Sequence, residues 1–588
     1  ESCFVGCSSL VSPPELPSGV MYLTQTFSGC TSLVEAPKIP ESVINMNLCF
    51  EFCRSLKRSP VIPSSVTSMT LCFDGCTSLT DLYIFPAASL RPIELLTGSG
   101  VTTIHTNDIS LAESIFGDSY VYKLCTAYDG LENFLINLGP STIEAPHVLE
   151  IVDIPDTFVN DFATKLEAGV LETGGRVYLD LRETKLPRVT SMDFCFYSCD
   201  IVLYPPEIPD SVISMESCFE LSYIKEIPSI PNSVKNLKRC FAKLWLIDEI
   251  YLYTEAENLE ECFYDIHSQN LVIHLELPCV TNFQNCCFIP NLASGNIKEL
   301  KIVAPSLKSF TLKDFTNDRG FISLSILMES VETLTVSLDF VGELEIVAPK
   351  AKDPYIFMRN GNIAYFEIDT LKAESFSIFN FDSASLDKVT IKANHVDSIP
   401  QVNFHAKDLQ EVTFDFPLPK DLSYCFAGCE NLTTVNWNPI EVENLDACFY
   451  RCKSLTSLPL SLDILTKAKS FMACFAETNL FEEVDLSLPN ALNIAAMFWG
   501  CKGLKKAKII APNVTNVSFV TEGSESDYRG LFQGCDVLEE AQLITSADCT
   551  DLSYTFAECP SLKSFGVLPS KVNKMTSCFL NCSSLEEV

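Results

Sequence analysis

The chain has 588 residues, with 41 basic against 76 acidic side chains and a net charge of −35. A surplus of negative charge that large repels phosphate backbones and anionic lipid, which sets nucleic acids and membrane surfaces aside as partners. No apolar run is long enough to span a bilayer, so direct membrane insertion is not expected of this sequence.

The first eighty residues repeat one pattern. Phe4, Phe27, Phe50 and Phe73 are 23 residues apart, and the same step separates Cys7, Cys30, Cys53 and Cys76. Leu10 to Leu79, Pro14 to Pro60, Pro17 to Pro63 and Val20 to Val66 keep it too. A fixed period of this length marks a solenoid, whose turns cannot bury their apolar sides alone and stack into a continuous core. Length therefore says little about domain number. The Leu after each Cys starts a short extended segment, and prolines such as Pro37 and Pro40 border it, since Pro lacks a donor and fixes φ. C-F-x-x-C is long enough for one helical or 3-10 turn with Phe inward.

Residues 81–190 break the period. Phe158, Phe162, Leu166 and Val170 recur every four residues after Pro155 and Asp156, which predicts a helix that Gly174–Gly175 can end. A strand is expected from Arg176 to Leu181 and a short helix from Leu131 to Leu138. The stretch is either an α/β insertion or a set of degenerate turns. In residues 191–290 the repeat returns at Phe196, Phe219, Phe241, Phe263 and Phe288. Residues 291–420 lose the Cys-Phe element, but "ELKIVAP" at 299–305 and "ELEIVAP" at 343–349 lie 44 residues apart, two turns of 22. Runs such as "AYFEID", "KVTIKA" and "EVTFDF" fit strands with one buried face. From 421 to 588 the turns are regular again. The strand there reads Cys429-x-x-Leu432-x-x-Val435-x-Trp437, and likewise from Cys501 to Ile509, Cys535 to Leu543 and Cys559 to Val567. Alternation sends these residues to the core and the intervening ones to a ligand-facing sheet. Between Phe498 and Phe532 the spacing swells to 34, and the polar segment 521–530 accounts for a loop on one edge.

Of 27 cysteines, twelve directly precede the repeat Phe and eleven follow it by three residues. Small residues replace them in equivalent turns, so these are packing slots for buried free thiols, since free Cys behaves as a small hydrophobe. Disulfides between turns are the alternative. A metal site is the weaker one, because no regular His accompanies the pattern. Many unpaired thiols favour a reducing or anaerobic setting.

C-x-x-L-x-x-(I/A/V)-x-(I/L), a following Pro and (A/C)-F-x-x-C within 23 residues resemble the BspA-like, treponemal-type leucine-rich repeats. Met69–Leu82 is similar to the 26-residue surface-protein form of that group. The resemblance runs through 1–80, 190–290 and 421–588, thins over 290–420 and is scarcely present in 81–190. It implies a right-handed leucine-rich repeat solenoid, mainly β with short helical or 3-10 turns and a parallel sheet along one side. It also implies a setting on the surface of bacteria, with relatives in protists and phages, and a role in adhesion or recognition. The high Cys content and the 81–190 stretch depart from the family.

No phosphate loop, dinucleotide fingerprint, nucleophile elbow or H-E-x-x-H occurs, so no catalytic, cofactor or metal site is expected. Six histidines are scattered, and pairing of Cys125 with His147 is the one nucleophilic arrangement to weigh. Glu522, Glu525, Asp527, Tyr528 and Arg529, in the protruding segment, are the candidate ligand contacts. Calcium there lacks the required spacing. Trp437 is expected in the core and Trp499 partly exposed. The sequons at Asn431, Asn513, Asn516 and Asn581 are short enough to arise by chance. The sequence opens and closes inside the repeat, as a fragment would. These features point to a non-enzymatic recognition protein that binds protein or glycan at a microbial surface, with a phage or virus structural component as the alternative.

Overall fold

The computed structural model describes residues 1–170, 175–268, 270–287, 296–315, 321–338, 341–352, 354–358, 362–370, 385–392, 407–415, 420–437, 442–455, 459–479, 481–520 and 528–586. The chain divides into two compact units, Glu1–Ile247 and Asp248–Val588, and both are solenoids of parallel strands.

In the first unit each turn is knitted to the next by backbone hydrogen bonds on alternate residues. The amides of Met46, Leu48, Phe50 and Phe52 donate to the carbonyls of Ser68, Thr70, Cys72 and Asp74. The intervening amides turn back on their own segment: Cys49 donates to Met46 and Cys53 to Phe50. Each of these bonds closes a four-residue turn whose third residue has positive φ, Leu48 at 55° and Phe52 at 60°. The same two positions recur through both units, two residues before and two after the repeat Phe. They are held by Gln25 and Gly29, Ser217 and Leu221, Ala473 and Glu477, among others. Glycine fits this conformation without steric cost, yet most of these positions carry side chains, because the stacked turns on either side hold the backbone. The Cys-Phe element is thus a pair of reversing turns. The short helices and 3-10 turns of the first unit lie between residues 109 and 167.

The reversal points Phe inward. Phe4, Phe27, Phe50 and Phe73 stack face to face at 5.2, 5.4 and 5.6 Å between centroids. Beside them the second Cys of each turn donates its thiol proton backwards: Cys53 Sγ to the Phe27 carbonyl at 3.2 Å and Cys76 Sγ to the Phe50 carbonyl at 3.0 Å. That carbonyl already accepts the amide of the Cys in its own turn, so both of its lone pairs are used. A small donor is therefore what the slot selects. Where Cys is absent, Ser222 and Thr478 donate to the Phe219 and Phe475 carbonyls of their own turns. Of the 27 cysteines, Cys3, Cys7 and Cys279 are exposed, Cys582 is half-buried and the rest are buried as free thiols.

The regular turn continues beyond residue 80. Leu95 and Leu96 occupy the Cys and Phe slots, with the Phe73 amide donating to the Leu95 carbonyl, and Gly98 sits at positive φ directly on Gly75. The strands β1 (Arg58–Ile62), β2 (Asp81–Ile84), β3 (Thr103–Thr106), β4 (Val121–Ala127) and β5 (Glu150–Val152) then form one parallel sheet in that order. Between them lie α1 (Ile109–Phe116), which the four-residue pattern did not reveal, and α2 (Leu131–Asn137). The helix expected around Phe158–Val170 is a 3-10 turn, Phe158–Asn160, followed by α3 (Phe162–Glu167). Phe162 and Leu166, one turn apart on α3, are fully buried, and the Phe162 ring lies 5.2 Å from Phe196, where the Phe stack resumes. The helix thereby fills the place of a missing repeat Phe. Gly174 lies outside the described residues. Val170 and Arg176 form an isolated antiparallel bridge, and only Leu179–Asp180 of the expected strand is extended.

In the second unit nine parallel strands run in chain sequence from Glu249–Tyr253 to Thr434–Asn436, with the strands of the second face left out of this sheet. Ile302, Ile326 and Ile346 are in register on three successive strands, so the two I-V-A-P segments are two turns apart. A second parallel face is built by Ser309–Phe315, Thr333–Leu338 and Tyr355–Met358. Beyond it Phe426, Phe449, Phe475, Phe498, Phe532, Phe556 and Phe579 stack at 5.5 to 5.9 Å. The 34-residue step leaves this stack intact at 5.7 Å. Its extra residues leave through an antiparallel pair, Ser518–Val520 with Tyr528–Gly530. Phe288 and the candidate residues Glu522, Glu525 and Asp527 lie outside the described residues. Core placement of the named strand residues holds for Leu504, Ile509, Leu538 and Leu543. It fails at Val567, which is 88 % exposed because the last strand ends at Phe565.

Candidate ligand-binding surface

The sheet face of the second unit, where outward residues of Glu483–Ser487, Lys506–Ala511, Glu540–Thr545 and Ser564–Phe565 align, forms a trough of about 580 Å³. Its charges are satisfied internally. Lys508 reaches Asp485 at 3.0 Å, and Lys506 lies 3.9 Å from both Glu483 and Glu540. Along the rim Lys505 meets Glu482 at 3.2 Å and Lys563 meets Glu539 at 2.7 Å. In-register parallel strands put residues of successive turns side by side, so opposite charges at one repeat position become a self-neutralised ladder. Such exposed pairs add little to stability.

A different arrangement lies around the turns after Phe449 and Phe498. Tyr450 and Trp499 each directly follow a repeat Phe, and the turn between them carries the small, buried Ala476 at that position. The two rings close over it, 6.3 Å apart and within 17° of parallel. The Arg529 guanidinium lies over the indole at 4.6 Å and that of Arg451 over the phenol at 5.0 Å. Glu477 ties the group together. It accepts from Arg451 Nε at 2.8 Å and from the Tyr450 hydroxyl at 3.2 Å. Burial and then the Glu477 charge push the Tyr450 hydroxyl pKa up, so it remains a donor. The backbone holds Arg451, Glu477 and Gly500 at positive φ in three successive turns, which aims the first two side chains outward in line.

Of the residues marked in the sequence, Arg529 belongs to this patch and Tyr528 is on the same short strand. Trp499 is partly exposed as expected. Trp437 is half-buried, packed on Phe426 and Phe449 at 5.7 and 5.5 Å, and its indole N–H donates to the Pro459 carbonyl. Tyr450, Arg451 and Glu477 were missed, because their convergence depends on turns that are distant in sequence. The shared position after the repeat Phe was the signal that could have found Tyr450.

In the first unit Cys125 is buried on β4, where burial and the Glu150 charge push its thiol up, and no hydrogen bond joins it to His147 among the described residues. On the same sheet His105 lies between two carboxylates. Its Nε2 is 2.9 Å from Asp81 Oδ1, and its Nδ1 is 2.6 Å from Glu150 Oε2, close but out of hydrogen-bond alignment. The Tyr83 hydroxyl donates to Glu150 at 3.0 Å, its ring stacks on His105 at 4.0 Å, and Arg58 covers the other side at 3.9 Å. This cluster fastens β1, β2, β3 and β5 on the outer face of their sheet. Among the described residues no group of three or more side chains is arranged to hold a metal ion, and no helix is long and apolar enough to cross a membrane.

The model of the BspA type leucine-rich repeat region matches in six copies, over residues 1–120, 182–319, 374–505 and 513–588. Among solved structures, a leucine-rich repeat protein from Bacteroides ovatus ATCC 8483 is 15 % identical over 93 % of this chain and 87 % of its own, with a TM-score of 0.19. YopM from Yersinia enterocolitica WA-314 is 15 % identical over 96 % and 88 %, with a TM-score of 0.19. TLR13 in a complex with ssRNA13 is 14 % identical over 94 % and 76 %, with a TM-score of 0.20. No curated protein matches. With the family's repeat matched over most of its length and the Cys-Phe turns stacked as that repeat requires, the chain belongs to the BspA-type leucine-rich repeat family.

Proposed function

We propose that this is a non-enzymatic recognition protein, displayed at a microbial surface, that binds a protein partner through the Tyr450–Trp499–Arg529 patch. The patch itself carries the reading. Trp, Tyr and Arg are the residues in which interface energy concentrates, and here they are joined, oriented and partly exposed on a rigid stack. A protein is favoured over a glycan because sugar rings need an open aromatic face, whereas Arg529 and Tyr450 already pack against Trp499. The surface setting rests on the family.

The test is binding of the labelled protein to a panel of immobilised extracellular proteins and to a glycan array. At least one protein is expected to bind, with Trp499→Ala or Arg529→Ala weakening it by about 30-fold, the loss of one interface anchor. Protein binding indifferent to both substitutions, or binding to glycans alone, would overturn the proposal.

A further inference from the structure

The first unit holds a groove of about 1140 Å³. One wall is the stack of proline-rich returns, including Pro14, Pro37, Pro40 and Pro63, with Leu16 and Ala36 between them. The opposite wall is α2 with Phe134, and the floor is the ends of β1 and β4 beside Phe85. Five carboxylates, those of Glu15, Glu35, Glu41, Asp129 and Asp153, line it against the single amine of Lys38.

Two features set this groove apart from the sheet face of the second unit. There, nearly every carboxylate has a lysine within 4 Å. Here none of the five has an ion-pair partner at that distance among the described residues, and the cations that act on Asp153 are Lys38 and Arg58, so five carboxylates leave the groove a net negative field that its apolar walls focus. The returns are also rich in prolines, which offer no N–H, so an incoming chain cannot add to that wall as a β-strand. What fits is a chain that needs no backbone ladder, presents apolar surface to the prolines and Phe134, and carries cations spaced along its length. We propose that the groove binds a cationic, proline-containing peptide segment of a partner protein in extended polyproline-II form.

The probe is a fluorescein-labelled dodecapeptide of repeated Lys-Pro-Leu, with a Glu-Pro-Leu counterpart, read by fluorescence anisotropy on the full chain. The lysine peptide is expected to bind and the glutamate peptide not, with affinity falling at least tenfold between about 50 mM and about 500 mM NaCl. The triple variant Glu15→Gln, Glu35→Gln, Glu41→Gln should weaken binding at least tenfold. A variant with the same change in net charge at exposed sites elsewhere in the unit, Asp118→Asn, Glu144→Gln, Asp210→Asn, should leave it within twofold. Phe134→Ala should weaken the Lys-Pro-Leu peptide more than a Lys-Gly-Gly peptide. All seven residues are exposed or half-buried, so folding is retained. Equal losses in the two charge variants would reduce the effect to the overall acidity of the chain and overturn the proposal, as would displacement of the peptide by spermine at equal charge concentration. Failure here leaves the Trp499 patch untouched, since that lies in the other unit.

Discussion

Replacing Phe50 by Ala tests whether the ring stack is the element that holds the first unit together. Phe50 is fully buried and touches a stacked ring on each side, Phe27 at 5.4 Å and Phe73 at 5.6 Å, with interplanar angles of 5° and 3°. Burial and the cavity left behind set a cost of about 3–5 kcal/mol, and each ring pair accounts for about 0.5–1.5 kcal/mol beyond area. In a solenoid a turn touches only its neighbours, so the loss should be local. Hydrogen exchange resolved by peptide is the assay. Amides of Met46 to Cys76 should exchange about a hundred- to several-thousand-fold faster, while those around Phe196 to Phe241 change little. The double substitution with Phe27→Ala should show a coupling of about 0.5–1.5 kcal/mol, and that with Phe219→Ala none. Uniform loss of protection across the unit, or no coupling between Phe27 and Phe50, would refute the nearest-neighbour picture.

Gly530→Ala should destabilise the turns around Phe532 by more than about 2 kcal/mol, because a Cβ there would lie 2.0 Å from the Tyr554 carbonyl oxygen, which is backbone and cannot swing away; urea unfolding followed by Trp fluorescence reports it. Burial acts to raise Asp81 and Glu220, but bonds from Thr80 and His105 to the first, and from Arg239 and Ser217 to the second, hold both carboxyls below the usual range. Their contribution to stability is therefore present above about pH 4 and lost as pH falls through the folded values, so Glu220→Gln should flatten the acid limb of a stability profile. Arg239→Met should cost about 3–5 kcal/mol by leaving the buried Glu220 carboxylate unpaired, its guanidinium having reached that group at 2.6 Å. Burial pushes Cys76, Cys199, Cys559 and Cys578 up to about 12 and Cys501 to about 11. Alkylation of the native protein at mildly alkaline pH should thus modify Cys3, Cys7 and Cys279 first, with Cys582 slower, and leave the rest to react only after denaturation, as read by intact mass. A ladder of unreactive cysteines after denaturation would instead mean disulfides.

The repeat was open to reading because each turn needs the same contacts: an inward Phe, a small donor three residues on and apolar residues at alternate strand positions. A period of 23 is what that requirement looks like along a chain, and it assigned the solenoid, the Cys slots and the partial exposure of Trp499. Where other residues meet the same requirement the pattern vanishes from the sequence while the structure continues. Leu95 and Leu96 fill the Cys and Phe slots, and Phe162 on α3 supplies a ring to Phe196 from a helix. Side chains that act together across turns are the part only the tertiary structure decided. Tyr450, Glu477, Trp499 and Arg529 span 80 positions, and Glu15, Glu41, Asp129 and Asp153 nearly 140. Stacking alone brings them together, because it turns distance along the chain into a short step along the solenoid.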